Sequence, residues 1–185
     1  MLPLAFKLDS APVLVVGAGR VGTRKAEQLI EAGAMVTMIA ETFLEPAPQG
    51  VVHVEVRRYR RGDLQGYHLV VSATGDLEVN DEIVEEARDE RIWLNVVDDP
   101  ARSSFYFMAL HRQGEVTVAV TTEGAAPALA QEIRTHVAQR LPDNLVDVAA
   151  TLREERRVLH ERGASTEGVD WRARIRELLA SDASR

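Results

Sequence analysis

Short apolar runs alternate with stretches of helical periodicity through the first half of the chain. Five runs rich in β-branched residues have the length and composition of strands, and they cover residues 13–16, 36–40, 51–56, 69–74 and 93–97. Between them, apolar side chains recur every three or four positions over residues 21–31 and 79–90, which predicts two amphipathic helices. Asn80 or Asp81 is the expected cap of the second helix. Several strand runs are continuously apolar, as in a sheet covered on both faces. The alternation favours an α/β fold built on a parallel sheet.

The pattern changes after Pro100. Candidate strands at residues 105–111 and 116–120 are separated by a short turn, and helical periodicity follows over residues 127–141, 145–162 and 171–179. We expect the last residues, 181–185, to be frayed. The apolar faces of these elements exceed what so small a unit can bury alone, so we expect the chain to form a homodimer.

The composition of the chain mainly excludes certain classes of protein and of chemistry. The 185 residues are 45% hydrophobic and 28% charged, with a mean hydropathy of −0.15, as in ordinary globular proteins. No apolar stretch reaches the length of a membrane span, and the N-terminal segment lacks the pattern of a signal peptide, so we expect a cytoplasmic protein with no membrane partner. The chain has no Cys, which excludes disulfides and thiolate chemistry. Its net charge of −7 argues against binding to nucleic acid.

A glycine-rich motif lies between the first predicted strand and the first predicted helix. Residues 17–22 read GAGRVG, a complete G-x-G-x-x-G in the strand-to-helix setting that binds dinucleotides. Gly17 makes the tight turn, Gly19 lets the backbone approach a pyrophosphate, and Gly22 lets the helix pack on the strand. The alternative is a glycine-rich turn that binds nothing. The context favours a Rossmann-type sheet with a bound dinucleotide.

The residue that would contact the adenosine ribose is Glu41, which follows Gly22 by 19 residues and comes directly after the second apolar run. A solvated loop glutamate is the alternative. No Arg follows to bind a 2′-phosphate, which favours NAD over NADP. A later basic cluster, which we interpret as a solvated strand end rather than a phosphate site, consists of Arg57, Arg58, Arg60 and Arg61.

Polar residues follow the fourth and fifth predicted strands. Ligands of open α/β sheets gather at the carboxyl ends of the strands, which directs Thr74, Asn95 and Asp98 toward the cofactor crevice. Asp98 directly follows its strand, whereas Asp99 precedes Pro100 and is better suited to shaping a turn. The five His residues and the carboxylates show no ligand spacing, so we predict no resident metal.

Several segments together resemble the precorrin-2 dehydrogenases of the siroheme-synthase type, some of which are also sirohydrochlorin ferrochelatases. The resemblance covers roughly residues 1–160. It rests on the opening LPLAFKL and on GAGRVGTRKAEQLIEAGA, SATGDLEVND, NVVDDPARSSFYF and VTVAVTTEGAAPALAQEIR. Two positions depart from the family pattern: Thr122 stands where serine is common, and Glu123-Gly124 replaces Gly-Gly.

The resemblance implies an NAD-binding Rossmann domain at residues 1–111, a dimerisation region at 112–141 and a C-terminal helical region at 142–185. It implies oxidation of precorrin-2 to sirohydrochlorin with NAD⁺, and transient use of Fe²⁺ where chelatase activity exists. Asp98 matches the residue assigned to catalysis. Four residues match cofactor-contact positions, namely Arg20, Val21, Glu41 and Thr42. The sequence contains no methyltransferase domain, so we expect no uroporphyrinogen methylation.

Two other functions share parts of this pattern. A regulatory Rossmann module that senses NAD(H) would also show GAGRVG and a dimerisation part, but NVVDDP and TTEGAAPALA speak against it. The other alternative is another small NAD-dependent dehydrogenase. A polycarboxylate substrate also calls for forked donors, for which Arg102, Arg112 and Arg134 are the candidates.

Overall fold

The structure is a computed structural model that describes residues 1–180, and the chain divides into two units, Met1–Tyr106 and Phe107–Arg185. The division into three parts at residues 111 and 141 stays a prediction. Residues 181–185, expected to be frayed, lie outside the described residues. Within residues 1–180, no helix combines the length and the hydropathy needed to cross a bilayer.

The first unit is a five-stranded parallel sheet. In chain order the strands are β1 (Pro12–Ala18), β2 (Met35–Phe43), β3 (His53–Val56), β4 (Leu69–Ser72) and β5 (Trp93–Val96), arranged β3-β2-β1-β4-β5. Helix α1 (Arg20–Glu31) connects β1 to β2, and α2 (Leu77–Asp89) connects β4 to β5. This order is that of a Rossmann-type sheet, which is the fold class predicted from the sequence.

The core of this unit explains why its strands are continuously apolar. Every residue of β4 is buried, and so are residues 13–16 of β1. Packed on them from α2 are Val79, Ile83 and Ala87, which share one face of that helix.

The strand order creates a switch point at β1. The chain leaves β1 for β2 on one side of it, and later returns to β4 on the other side. A crevice therefore opens beyond the carboxyl end of β1, where dinucleotides bind in this architecture.

Two local predictions were wrong. The cap of α2 is Asp76, whose Oδ1 accepts hydrogen bonds from the Glu78 and Val79 N–H groups, because the helix begins before Asn80 and Asp81. The strand predicted from residue 105 starts at Ala109 instead. Residues 103–104 are used to cover the edge of β5, where the Ser104 N–H donates to the Leu94 carbonyl over 2.7 Å.

The second unit has little interior of its own. Strands β6 (Ala109–Gln113) and β7 (Val116–Val120) form an antiparallel hairpin, followed by α3 (Pro127–Ala138), α4 (Leu145–Glu161) and α5 (Trp171–Ala180). Gly114 makes the hairpin turn at a φ of 58°. Among its described residues, the buried hydrophobic side chains are Ala109, Ala130 and Val148.

Candidate functional site

Two glycines of the GAGRVG loop are required by the protein's own packing. Gly17 has a φ of 103°, and a Cβ added to it would lie 2.6 Å from the Ala73 carbonyl oxygen. A Cβ added to Gly22 would lie 2.1 Å from the Gly17 carbonyl oxygen, so α1 could not pack against this loop. These contacts agree with the turn and packing roles predicted for the two residues.

Gly19 is different, because nothing in the protein requires a glycine there. Its φ is −75°, which any residue adopts, and an added Cβ would have no protein atom within 4 Å. The open space in front of Gly19 leaves its backbone accessible to a ligand. This is the environment expected where a pyrophosphate approaches the loop.

The N-terminus of α1 also leaves hydrogen-bond donors for a ligand. Gly19 is its N-cap, no side chain caps it, and the first turn contains no acidic residue. In α2, by contrast, the Asp76 carboxylate fills that role. The first N–H groups of α1 and its dipole therefore favour a bound anion.

A cavity of about 360 Å³ opens at the carboxyl ends of β1 to β4. Its volume is in the range of small-molecule sites. Its walls come from residues 16–19, from five residues between positions 39 and 44, from residues 57–59, and from the turn and first helical residues between 73 and 79.

The cavity brings together half of the site residues predicted from the sequence. Those that line it are Gly17, Gly19, Glu41, Thr42 and Thr74. Those outside its lining are Arg20, Val21, Gly22, Asn95 and Asp98. Glu41 lies within β2, which extends to Phe43, and its side chain is exposed.

Thr74 is held by a buried network below the turn after β4. The Ser72 hydroxyl donates to Asn80 Oδ1 over 2.6 Å, and Asn80 Nδ2 donates to the Thr74 carbonyl over 3.2 Å. The Asp76 N–H donates to Thr74 Oγ1 over 3.1 Å. The turn that borders the cavity is therefore preorganised by α2.

Sequence reasoning missed the wall that follows β3. Arg57 donates to Asp63 over 2.6 Å and to Glu55 over 2.5 Å, and these bonds raise its pKa. Tyr59 is buried, and its hydroxyl donates to Glu86 Oε2 over 2.5 Å. The signal available in the sequence was the position of these residues directly after a parallel strand.

Glu86 explains how this wall is held. Its buried carboxylate also accepts hydrogen bonds from the Gly62 and Leu64 N–H groups over 2.8 and 3.1 Å. Burial and the bond to Glu86 raise the pKa of Tyr59, so the phenol stays neutral. Hydrogen bonds to Glu86 thus hold the segment after β3 against α2.

The two aspartates after β5 have different environments. Asp98 is exposed and has a φ of 60°, at the corner of a turn closed by the Asp99 N–H donating to the Val96 carbonyl over 3.1 Å. Asp99 accepts hydrogen bonds from the N–H and Nε of Arg102, at the start of a short 3₁₀ helix, Pro100–Arg102. The Arg102 guanidinium lowers the pKa of Asp99.

The remaining predicted polar residues have structural partners. Asn95 is buried and donates to the Phe105 carbonyl over 3.0 Å. Of the arginines considered for the substrate, Arg102 is ion-paired with Asp81 and Asp99, and Arg134 donates to Gln131. Within residues 1–180, no three His, Asp or Glu side chains come together in a group that could hold a metal ion.

The sheet order, the glycine loop and the cavity at the switch point define a Rossmann-type dinucleotide-binding protein. The family model described as "Putative NAD(P)-binding" matches residues 4–109. The chain belongs to this NAD(P)-binding family.

Individual relatives extend the comparison. The chain is 38% identical over 160 residues to a siroheme synthase from Methylococcus capsulatus, covering 83% of this chain and 34% of the relative. It is 39% identical over 153 residues to siroheme synthase 3 from Aeromonas hydrophila, covering 80% of this chain and 33% of the relative. The chain therefore spans about a third of the length of the curated relatives it matches, and the resemblance stated from the motifs is confirmed over that region.

A solved structure agrees in fold. The structure of "SirC, precorrin-2 dehydrogenase" superposes with a TM-score of 0.73 at 24% sequence identity, covering 97% of this chain and 88% of that one. This likeness confirms the fold class.

Proposed function

We propose that the chain is a precorrin-2 dehydrogenase, which oxidises precorrin-2 to sirohydrochlorin with NAD⁺. The observation that supports it most directly is the cavity around Gly19, where the protein leaves open space in front of a glycine that its own packing does not need. The similarity to part of the siroheme synthases supports the choice of substrate.

The chain's residues fit a dinucleotide. The N–H groups at the start of α1 bind the pyrophosphate next to Gly19, and the Glu41 carboxylate accepts hydrogen bonds from the adenosine ribose. Because Glu41 would repel a 2′-phosphate, NAD⁺ is preferred over NADP⁺. When bound, NAD⁺ would supply the acceptor for the hydride removed from a reduced carbon of the macrocycle.

Asp98 acts on the substrate in this proposal. Its side chain is exposed just beyond β5, whereas Asp99 is held by the 3₁₀ helix and Arg102. Asp98 accepts the proton lost with the hydride, or orients the macrocycle for that loss.

The active form is a cytoplasmic homodimer. The apolar side chains that support dimerisation lie on the second unit and include Leu110, Leu129, Ile133 and Val146, all exposed in the single chain. A second copy of the chain would bury them.

The function is tested by mixing the protein with NAD⁺ and enzymatically generated precorrin-2 and following the sirohydrochlorin absorption spectrum. We expect NAD⁺-dependent formation of sirohydrochlorin and slower turnover with NADP⁺. Gly19→Val should abolish NAD⁺ binding in calorimetry while leaving thermal unfolding unchanged. Gly168→Val is the matched control, since Gly168 also has open space around it and no positive φ. NAD⁺ binding without any sirohydrochlorin would favour the sensing module instead.

Asp98 is tested against its neighbour. Asp98→Asn keeps a residue that tolerates a positive φ, and should lower kcat by roughly 100-fold while NAD⁺ affinity survives. Asp99→Asn should leave kcat much closer to that of the wild type and lower the thermal stability, because it weakens the contacts with Arg102. Wild-type turnover in Asp98→Asn would refute the catalytic assignment.

A further inference from the structure

An ion pair connects two walls of the cavity outside the residues assigned to the dinucleotide so far. Arg58 Nη2 lies 3.1 Å from Asp76 Oδ2, and both residues line the cavity. Arg58 follows β3 and Asp76 follows β4, and β2 and β1 lie between these strands. Three interstrand spacings put β3 and β4 about 14 Å apart. The pair therefore joins segments from opposite sides of the switch point.

The Asp76 carboxylate is held in place by contacts that do not involve Arg58. Its Oδ1 caps α2 by accepting from the Glu78 and Val79 N–H groups over 3.0 and 3.2 Å, which leaves Oδ2 for the guanidinium. A second carboxylate, that of Glu78, lies 3.8 Å from Arg58 Nη2. The helix cap thus sets the position of the Arg58 side chain.

Stability alone is a poor reason for this pair. The side chains of Arg58 and Asp76 are 47% and 38% exposed, and ion pairs at such exposure contribute little to folding. The pair borders both the solvent and the cavity. Its position suits a role in binding better than a role in the core.

The lining of the cavity also includes apolar and aromatic residues that are held inside the fold. Ile39, Tyr59 and Val79 line the same cavity and are almost completely buried, and Tyr59 is fixed by its bond to Glu86. A planar guanidinium stacks on flat aromatic rings, and a nucleobase is such a ring.

A phosphate is a poorer occupant beside Arg58. Two carboxylates already compensate the charge of Arg58, whereas the start of α1 offers N–H groups with no side-chain cap. The face of the guanidinium plane stays available when its edge is bound to a carboxylate. The neighbouring Arg57 is held by Asp63 and Glu55.

We propose that Arg58, positioned by Asp76, recognises the adenine base of the dinucleotide by stacking its guanidinium on the ring. This inference rests on the proposed function, since it assumes that the cavity binds a dinucleotide. It assigns a determinant of cofactor affinity to a residue outside the glycine motif.

The test is calorimetric titration of the full chain with two overlapping fragments of the cofactor, ADP-ribose, which contains the adenine, and nicotinamide mononucleotide, which does not. Arg58→Ala should weaken ADP-ribose about tenfold and leave nicotinamide mononucleotide unchanged. Arg58→Lys should show a similar loss, because an ammonium group keeps the charge without the plane. Arg61→Ala is the matched control, since Arg61 forms comparable exposed ion pairs with Asp89 and Glu85 and does not line the cavity. Equal unfolding temperatures exclude a folding defect.

Three results would overturn the proposal. Full affinity in Arg58→Lys, or a loss in Arg58→Ala that disappears at high salt, would mean that Arg58 binds a phosphate. Unchanged ADP-ribose affinity in Arg58→Ala, in a protein that oxidises precorrin-2, would remove the adenine contact and leave the proposed function standing. A wild type that binds neither fragment nor intact NAD⁺ would refute both proposals.

Discussion

The two units of the chain bury their apolar side chains to very different degrees. In Met1–Tyr106, Leu14, Leu64 and Ile83 are completely buried. In Phe107–Arg185, the side chains of Leu129 and Ile133 on α3 are 53% and 40% exposed. Both units contain regular helices and strands, so secondary structure alone does not explain the difference.

The difference follows from the kind of sheet in each unit. A parallel sheet with crossover helices covers both of its faces and closes a core within one chain. A two-stranded hairpin has too little area to do so and needs further packing. The first unit can thus hold a binding site by itself, whereas the second is suited to association with another copy.

We expect the largest difference between the units when the same substitution, Ile to Ala, is made in each and the loss of stability is measured. Ile83→Ala should destabilise the protein by about 2–5 kcal/mol at any protein concentration, because it leaves a hole in the closed core. Ile133→Ala should cost less free energy of unfolding in dilute solution and more at high concentration, because in the proposed dimer a second copy buries Ile133. Denaturant unfolding at two concentrations measures both. A concentration-independent loss in Ile133→Ala would mean that α3 is covered within the chain.

Association itself gives the next effect. Leu129→Glu puts a charge on the exposed apolar face of α3 and should convert a dimer into a monomer in sedimentation experiments. Glu132→Gln, on the same helix and exposed, is the control and should leave the dimer intact. A wild type that sediments as a monomer would refute the proposed dimer directly.

We expect a smaller difference in stability when polar contacts of the two units are removed. Tyr59→Phe removes a hydrogen bond to the buried Glu86 carboxylate and should lower the free energy of unfolding by about 1–3 kcal/mol. Arg157→Gln removes ion pairs with Glu154 and Glu161 on the surface of α4 and should change stability little. Thermal unfolding of the two variants makes the comparison. Equal losses would contradict the view that the buried bond of Tyr59 contributes more to stability than the exposed ion pairs of Arg157.

The smallest effect depends on pH. Burial, with a contribution from the nearby Arg24 charge, lowers the pKa of Lys25 on α1 from 10.5 to about 8. Between these values the unfolded chain binds more protons than the folded one, so Lys25 makes stability rise as pH increases from about 8 toward 10.5. Lys25→Met should flatten this part of the stability profile. An unchanged profile would show that Lys25 is solvated as in the unfolded chain.

Much of the first unit could be read from the sequence because its signals are local. Each predicted strand lies within a few residues of an observed one, and the glycine loop connects β1 to α1 as expected. Such elements are set by apolar continuity and by backbone geometry at neighbouring positions. Glu41 was placed one residue beyond its run, and the structure continues β2 through it, because strand pairing extends beyond the apolar residues.

The remaining errors come from contacts between distant residues. Asp76, rather than Asn80 or Asp81, caps α2, and the residues before Ala109 serve the edge of β5 instead of extending β6. Neither choice leaves a pattern in the local sequence. Each depends on which backbone groups remain without a partner once the sheet has formed.

The sequence by itself determined the parallel sheet, the dinucleotide loop and the absence of thiol chemistry, because these depend on periodicity, on glycine positions and on composition. Only the tertiary structure decided which side chains surround the cavity. Arg58 and Asp76 are 18 positions apart in the chain and follow strands that lie on opposite sides of β2 and β1. Their side chains nevertheless meet at 3.1 Å across the carboxyl ends of those strands. Glu86 likewise meets Tyr59 only because α2 packs against the segment after β3. Such contacts depend on the packing of whole elements, which no short stretch of sequence specifies.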